Sequence, residues 1–427
     1  MKFFLALFLL GQILMAAKID SIEINGINVP VIFEEDKRLP LVTTQLIFQN
    51  AGSIRDTKIA GLAKFSSRML NEGTKTLGAN GFAEELESRA IHISANCGKE
   101  TFVIEVSSLK EEYVKSLKYL KELLKDPNYS EDALQKVQTT MIGGLSRKAN
   151  DFDYIAAVEL NKLLFEGSVL AQPSSGEIDT IKKITLKDVK KFIEQHICLS
   201  RAIVLVGGDV TLEDVKKQMG KVLQALPKGK AEKLPHFDTS AKSKELELDK
   251  ETQQAYIYFG SPYNMAVSDE DYYKARVATF ILGTGGFGSR LMEEIRVKRG
   301  LAYSAYARVE VTKSRSYLTG YLQTKLESSD EAKKVVQEVF KDFVTKGVTE
   351  DELEQTKKFL LGSEPLRVET MSQRLNRTFQ EYYKGFALNH SQEELEKISA
   401  LKLDDLNEFI KKHTEILQLS FAIVTKK

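Results

Sequence analysis

Apolar or small residues at Ile59, Leu62, Ala63, Ser66, Met69 and Leu70 recur at the spacing of a helix with one buried face. The opposite face carries Lys64, Ser67 and Arg68, spaced so that their side chains lie over one patch. Around this helix the chain alternates between period-2 and period-3.6 stretches. Residues 21–33 read as strand, turn, strand, with Asn25-Gly26 as the hairpin signal, and 41–49 as a further strand. A helix is predicted over 78–89, strands over 91–97 and 101–107, and an amphipathic helix over 111–125 that stops at Asp126-Pro127. Ser130 is placed to N-cap a long helix running through Leu134, Val137, Met141 and Leu145. Helices over 154–164 and 186–196, a buried strand over 201–207 and a helix over 211–226 complete this stretch.

The pattern then breaks. Residues 227–245 hold two Pro, five Lys and little apolar content, the composition of an exposed linker. Beyond it the same words return. Leu186, Asp188, Phe192, Ile193 and His196 recur at an offset of 217 as Leu403, Asp405, Phe409, Ile410 and His413. Ala202-Ile203-Val204 recurs as Ala422-Ile423-Val424, and Ser130-Glu131-Asp132 as Thr349-Glu350-Asp351, where Thr349 and Glu352 also spell a capping box. The chain therefore reads as two copies of one α+β unit of about two hundred residues, a domain duplication rather than a solenoid.

Composition narrows the class. At 427 residues the chain exceeds one ordinary core, and 42% apolar with 28% charged residues is the balance of a globular protein. A net charge of +1 argues against bulk electrostatic binding to nucleic acid or an anionic membrane. Lys2, the apolar run from Phe3 to Met15 and the small pair Ala16-Ala17 form a secretory signal, too short for a bilayer span. The mature protein is expected to begin near Lys18 and to reside in the periplasm. Cys97 and Cys198 are open to pairing in that compartment, but their separation decides nothing.

Three segments carry a resemblance. Gly52-Ser53-Ile54-Arg55 is followed by Gly61-Leu62-Ala63, Phe65 and Met69-Leu70-Asn71-Glu72-Gly73-Thr74. The second half holds the glycine-rich run Gly283 to Leu291, and then Arg296-Val297-Lys298-Arg299-Gly300-Leu301-Ala302-Tyr303-Ser304. With the two-copy layout, these resemble the pitrilysin/insulinase-type metallopeptidases, in the branch of the mitochondrial processing peptidase. The resemblance implies two homologous halves, each a mainly antiparallel sheet with helices packed on it, closing like a clam around a peptidase chamber. It implies zinc on an H-x-x-E-H helix of the first half and an Arg/Tyr pair from the second. The organisation it suggests is a signal over 1–17, an N-terminal peptidase-like domain over 18–226, a linker over 227–245 and a C-terminal peptidase-like domain over 246–427.

The chain departs from that pattern where the metal chemistry belongs. Lys64, Ser67 and Arg68 stand at the first His, the Glu and the second His, and glycine, Gly144, stands in the register of a later carboxylate ligand. Lys and Arg offer only donors and positive charge, and a serine hydroxyl is no substitute for a carboxylate base. These three residues read either as a solvated helix face or as cations occupying the vacated metal position. Arg296 and Tyr303 keep the family spacing. The resemblance gives them substrate-binding roles, and the plain alternative is a surface charge and a half-buried aromatic. The glycine run lacks the Lys-Ser/Thr of a phosphate loop and suits close backbone approach in a flexible loop.

The expectation is a chain with no catalytic residues and no metal of its own. It would pair with a zinc-bearing homologous subunit and act on unfolded peptide. A scaffold without a catalytic partner, and an active peptidase with unconventional ligands, are the alternatives.

Overall fold

A computed structural model describes residues 17–426. The signal segment expected over 1–17 lies, apart from Ala17, outside the described residues.

The chain forms two compact units that exchange segments. One takes residues 17–140, Asp179–Lys233 and Pro365–Tyr383, and the other takes Met141–Ile178, Leu234–Glu364 and the chain from Lys384 onward. The first unit is built on a six-stranded sheet of β1 (Lys18–Ile24), β2 (Ile27–Glu35), β3 (Leu41–Gln49), β4 (His92–Cys97), β5 (Thr101–Leu109) and β6 (Ala202–Gly208), in the order β1-β2-β6-β3-β5-β4. β1 and β2 close on a two-residue turn in which Asn25 and Gly26 both take positive φ, 52° and 74°. That turn matches the strands' right-handed twist, which is why the Asn-Gly pair predicted it.

Strand alternation decides what covers each face. Val29, Val31, Leu46, Phe48, Val204 and Val206 point to a core beneath the helices Tyr113–Lys125, Leu186–His196 and Leu212–Leu223. Ile32, Ile47, Ile203 and Leu205 point the other way, onto Leu375 and Phe379 of the helix Met371–Lys384. An ion pair fixes that late helix: Arg374 donates to the buried Glu34 carboxylate at 2.8 Å through Nε.

The second unit repeats the plan on a five-stranded sheet. Its strands are β7 (Glu245–Asp249), β8 (Gln254–Pro262), β9 (Ala302–Val311), β10 (Ser316–Lys325) and β11 (Ser420–Thr425), in the order β7-β11-β8-β10-β9. β11 lies parallel to β7 and antiparallel to β8, as β6 lies parallel to β2 and antiparallel to β3. The duplication read from Ala202-Ile203-Val204 and Ala422-Ile423-Val424 is thus a duplication of sheet topology. Ile257, Phe259, Leu318 and Leu322 face the main core, while Leu160 and Leu164 of the helix Phe152–Leu164 pack on the opposite face beside Ala422. The expected α+β class holds: each unit is one mixed sheet with helices on it, and within each sheet antiparallel pairings dominate.

Residues 227–244 carry no regular element, as the linker composition predicts. They are nonetheless held. Asn50 donates its side-chain amide to the Glu232 carbonyl at 3.0 Å, and Arg55 and Arg201 both reach the Glu232 carboxylate, at 2.9 and 3.0 Å. In the second unit the Phe237 amide donates to the Ser314 carbonyl at 2.8 Å. Among the described residues no helix is long and apolar enough to cross a membrane.

Candidate functional site

The helix Leu62–Leu70 forms where the apolar spacing places it, and its Ala63, Phe65, Ser66, Met69 and Leu70 are buried. A buried carboxylate starts it. Asp56 accepts from the amides of Gly61 at 3.0 Å and Ala63 at 2.8 Å, satisfying helix-start donors that lack a partner within the helix. Burial pushes the Asp56 carboxyl up to about 7, against those two hydrogen bonds. At the other end Asn71 pairs with the edge strand β4, donating to the Ala95 carbonyl at 3.0 Å and accepting from the Ala95 amide at 2.7 Å. The side-chain amide thus imitates a strand partner at the sheet edge.

The three residues at the zinc-motif positions do not share one solvated face, which corrects the simplest reading of their spacing. Arg68 is exposed and Lys64 half-buried, but Ser67 is 2% exposed and donates its hydroxyl to the Lys64 carbonyl at 2.8 Å. A serine hydroxyl can satisfy itself on its own helix backbone, so position 67 turns inward although its neighbours are charged. These residues do not fit zinc, since Lys64 and Arg68 have no lone pair to offer while charged. Among the described residues no group of three or more His, Cys, Asp or Glu is placed to hold a metal. Gly144 lies within the helix Glu131–Lys148, where an added Cβ would meet only the Arg147 guanidinium, at 3.9 Å.

Cys97 and Cys198 are free thiols, so the disulfide left open by the sequence is not formed. Burial, with the Asp56 carboxylate, pushes the Cys97 thiol up, while the Lys64 charge acts the other way. His196 and His413 hold repeat-equivalent packing places: each lies tilted against a Phe one turn earlier, Phe192 at 4.7 Å and Phe409 at 4.5 Å between ring centroids, and His413 also stacks flat on Tyr263 at 4.7 Å.

The second unit assembles the Arg/Tyr pair. The glycine-rich run is a succession of short helical turns rather than the loop expected. Wide π-type turns at Phe280–Thr284 and Glu293–Val297 flank a 3-10 turn at Gly286–Gly288. Close approach does explain one glycine: a Cβ on Gly283 would lie 2.6 Å from the backbone N and O of Ala307. Gly283 therefore covers the outer edge of β9, and the Ala305 amide beside it donates to Met292 Sδ at 3.3 Å. Arg290 is fixed by the capping-box Glu352, to which it donates at 2.6 and 2.7 Å. Burial works against ionisation of Glu352, but the Arg290 and Thr349 hydrogen bonds hold its carboxyl below the usual range.

From this platform the chain reverses at Gly300, and Arg296 meets Tyr303. The guanidinium carbon lies 4.2 Å from the Tyr303 ring centre and 4.5 Å from that of Phe287. A β-bulge aims the tyrosine. Ala302 pairs with Thr324 and Ala305 with Leu322, so Tyr303 and Ser304 together stand opposite Gln323. Ala302 and Ala305 are both buried, three residues apart, and Tyr303 is left 81% exposed. Among the described residues no ion pair engages Arg296. An oriented guanidinium beside an exposed phenol can donate to a peptide carbonyl and to an oxyanion. The bulge and Phe287 escaped sequence reasoning; two alanines three apart in a strand were the available signal for the bulge.

Two family descriptions match: Insulinase (Peptidase family M16) over residues 31–150, and Peptidase M16 inactive domain over residues 183–360. The chain belongs to the peptidase M16 (insulinase) family. Within that family it is similar to a Helicobacter pylori (strain ATCC 700392 / 26695) protein named non-peptidase homolog YmxG. The two are 44% identical over 429 residues, which span 100% of this chain and 99% of the relative. It is 26% identical, over 78% of its length and 80% of the relative's, to the uncharacterized zinc protease YmxG of Bacillus subtilis (strain 168). Among solved structures, a peptidase M16 inactive domain from Pseudomonas fluorescens superposes with a TM-score of 0.87 at 26% identity, covering 96% of this chain and 98% of that one. M16 membership accounts for the duplicated sheets, and a non-peptidase relative agrees with the residues at positions 64, 67 and 68.

Proposed function

We propose that this M16 chain is the non-catalytic subunit of a periplasmic two-chain zinc peptidase. It would supply Arg296 and Tyr303 to a homologous partner that carries the zinc and the general base. Arg296 donates to carbonyls of an unfolded peptide and orients it; the Tyr303 hydroxyl donates to the oxyanion as hydrolysis proceeds. One observation carries the reading: a half-buried Arg296 is held with its guanidinium carbon 4.2 Å from the ring centre of an exposed Tyr303, in a chain whose own zinc-motif positions hold Lys64, Ser67 and Arg68. Neglected surface residues do not acquire a bulge, a buried support and two aromatic platforms.

The test is to purify the chain alone and with an H-x-x-E-H paralogue from the same host, and to assay both on unstructured peptides. The pair is expected to be active and the lone chain inactive. Full activity of the lone chain with stoichiometric zinc would overturn the reading, as would a pair indifferent to Tyr303→Phe. A pair no more active than the paralogue alone would favour a scaffold or peptide-binding role without a catalytic partner, the reading that the name of the Helicobacter pylori relative suits.

A further inference from the structure

Each sheet has its outer face covered by a helix that the other half of the chain supplies. With the chain divided at the linker, strands β1 to β6 belong to the first half, and their covering helix Met371–Lys384 belongs to the second. Strands β7 to β11 belong to the second half, and their covering helix Phe152–Leu164 belongs to the first. The exchange is reciprocal, so each unit is complete only with both halves present.

Both helices are seated in sockets. Gly207 of β6 lies under the first, where an added Cβ would collide with Leu375 and lie 2.8 Å from Met371 Sδ. Gly260 of β8 lies under the second, where an added Cβ would lie 2.8 Å from Leu164 Cδ1. A side chain missing from an inner strand lets a leucine of the helix sink to the sheet backbone. Polar ties fix each helix in its socket. On the first, Arg374 donates to the buried Glu34, and the Tyr383 hydroxyl donates to Glu100 Oε2 at 2.7 Å. At the start of the second, Asp153 accepts from the Tyr258 hydroxyl at 3.1 Å and from Gln323 Nε2 at 2.6 Å. Every one of these contacts joins a residue of the first half to a residue of the second.

The linker is fastened differently. The Pro227 and Lys228 carbonyls accept from the Leu199 and Ser200 amides at 2.9 and 3.1 Å, and Glu232 meets Arg55 and Arg201. All of these partners lie in the first half. The Phe237 amide donates to the Ser314 carbonyl, a tie within the second half. Leu234-Pro235 is the covalent step between the two sets. Such a tether raises the concentration of one half near the other but contributes no contact of its own.

We infer that the exchanged helices, and not the linker, hold the two halves together, so that a chain cut in the linker persists as one two-chain protein. The interaction surface of each half is its outer sheet face, and the partner that fits it is the complementary half of the same sequence. Residues 227–233 are exposed and include Lys228, Lys230 and Lys233, which open the linker to a lysine-directed peptidase. Such a cut adds water across one peptide C–N bond, leaving a carboxylate on the first half and an ammonium on the second. The inference is independent of the roles given to Arg296 and Tyr303.

The test places the recognition sequence of a site-specific protease between Leu234 and Pro235 of the full chain, which is then cut to completion. A denaturing gel should show two chains, while gel filtration at micromolar protein should give the elution volume of the uncut form. Thermal unfolding of the cut form should shift to higher temperature as protein concentration rises, because unfolding now releases two chains; the uncut form should show no such dependence. Leu375→Ala and Leu164→Ala each empty one socket, and each should weaken association of the cut chains by about tenfold or more. Unfolding of the uncut variants reports their own folding, so the effect sought is the loss that appears only after cutting. Arg374→Ala, which strips Glu34 of its donor, should act in the same direction. Separation or aggregation of the two chains on cutting overturns the inference. So does a cut protein whose association is indifferent to both leucine variants, since contacts other than the exchanged helices would then be the fastening.

Discussion

The helix Leu62–Leu70 and the segment from Arg296 to Tyr303 each present an arginine and a hydroxyl, in opposite physical circumstances. In the helix the Ser67 hydroxyl is folded back on the Lys64 carbonyl, and Arg68 stands exposed with no ion pair among the described residues. In the second unit a bulge carries the Tyr303 hydroxyl outward, and Arg296 rests against two rings. A side chain fixed in advance gives up conformational freedom, and it repays that loss only where it meets something. The first region is packed around residues that offer nothing to a metal. The second sets an arginine and an exposed phenol side by side on a supported surface.

Two substitutions would break this contrast if it were false. Phe65 is fully buried in the helix, so Phe65→Ala is expected to cost about 3–5 kcal/mol in chemical denaturation, the range for emptying a buried aromatic site. A helix kept only by descent and loosely packed would lose far less. Tyr303→Phe should leave the denaturation midpoint of the chain in place, since the ring is exposed. In the proposed complex with a zinc-bearing partner it should lower kcat by about 10²–10³-fold, the loss typical of an oxyanion donor. A fall in KM-dependent terms alone would reassign the hydroxyl from the transition state to substrate binding.

How much of this was legible differs between the two regions for a physical reason. Local rules wrote the helix: the spacing of Leu62, Met69 and Leu70 fixed its buried face, and the residue types at 64, 67 and 68 argued against zinc at those positions without any structure. The same rules anticipated the Asn25-Gly26 turn and the Thr349–Glu352 capping box. What they missed depends on partners distant in sequence. Asp56 and Asn71 do their work on backbone amides and carbonyls, which a residue string does not display. Tyr303 is aimed by a register shift against β10, and Ser67 is buried because neighbouring elements cover it. The two helices that cover the outer sheet faces, Phe152–Leu164 and Met371–Lys384, come from opposite halves of the chain. No pattern within either half could reveal that exchange.

The smaller effects sharpen the same comparison. Asp56 holds its proton to about 7 in the folded chain, whereas the unfolded carboxyl gives it up near 3.8. Between those values the unfolded state binds fewer protons, so the wild type should lose stability relative to Asp56→Asn as pH rises, by up to about 1.4 kcal/mol per pH unit. The loss should level off above about 7, and parallel profiles for the two proteins would show that the helix-start amides keep Asp56 ionised throughout. Arg68→Ala is the mildest change and the most discriminating. If Arg68 is only the exposed face of a helix that no longer binds metal, its removal should shift stability by no more than about 0.5 kcal/mol and leave activity of the complex unchanged. If the cation has instead taken over the vacated metal position as an anchor for a partner or peptide carboxylate, denaturation of the lone chain will still be unaffected. Affinity between the subunits, or for acidic peptides, will then fall and will lose its salt dependence. Titrating the complex at two ionic strengths with wild type and Arg68→Ala therefore separates a silent surface from a converted one, which no stability measurement can do.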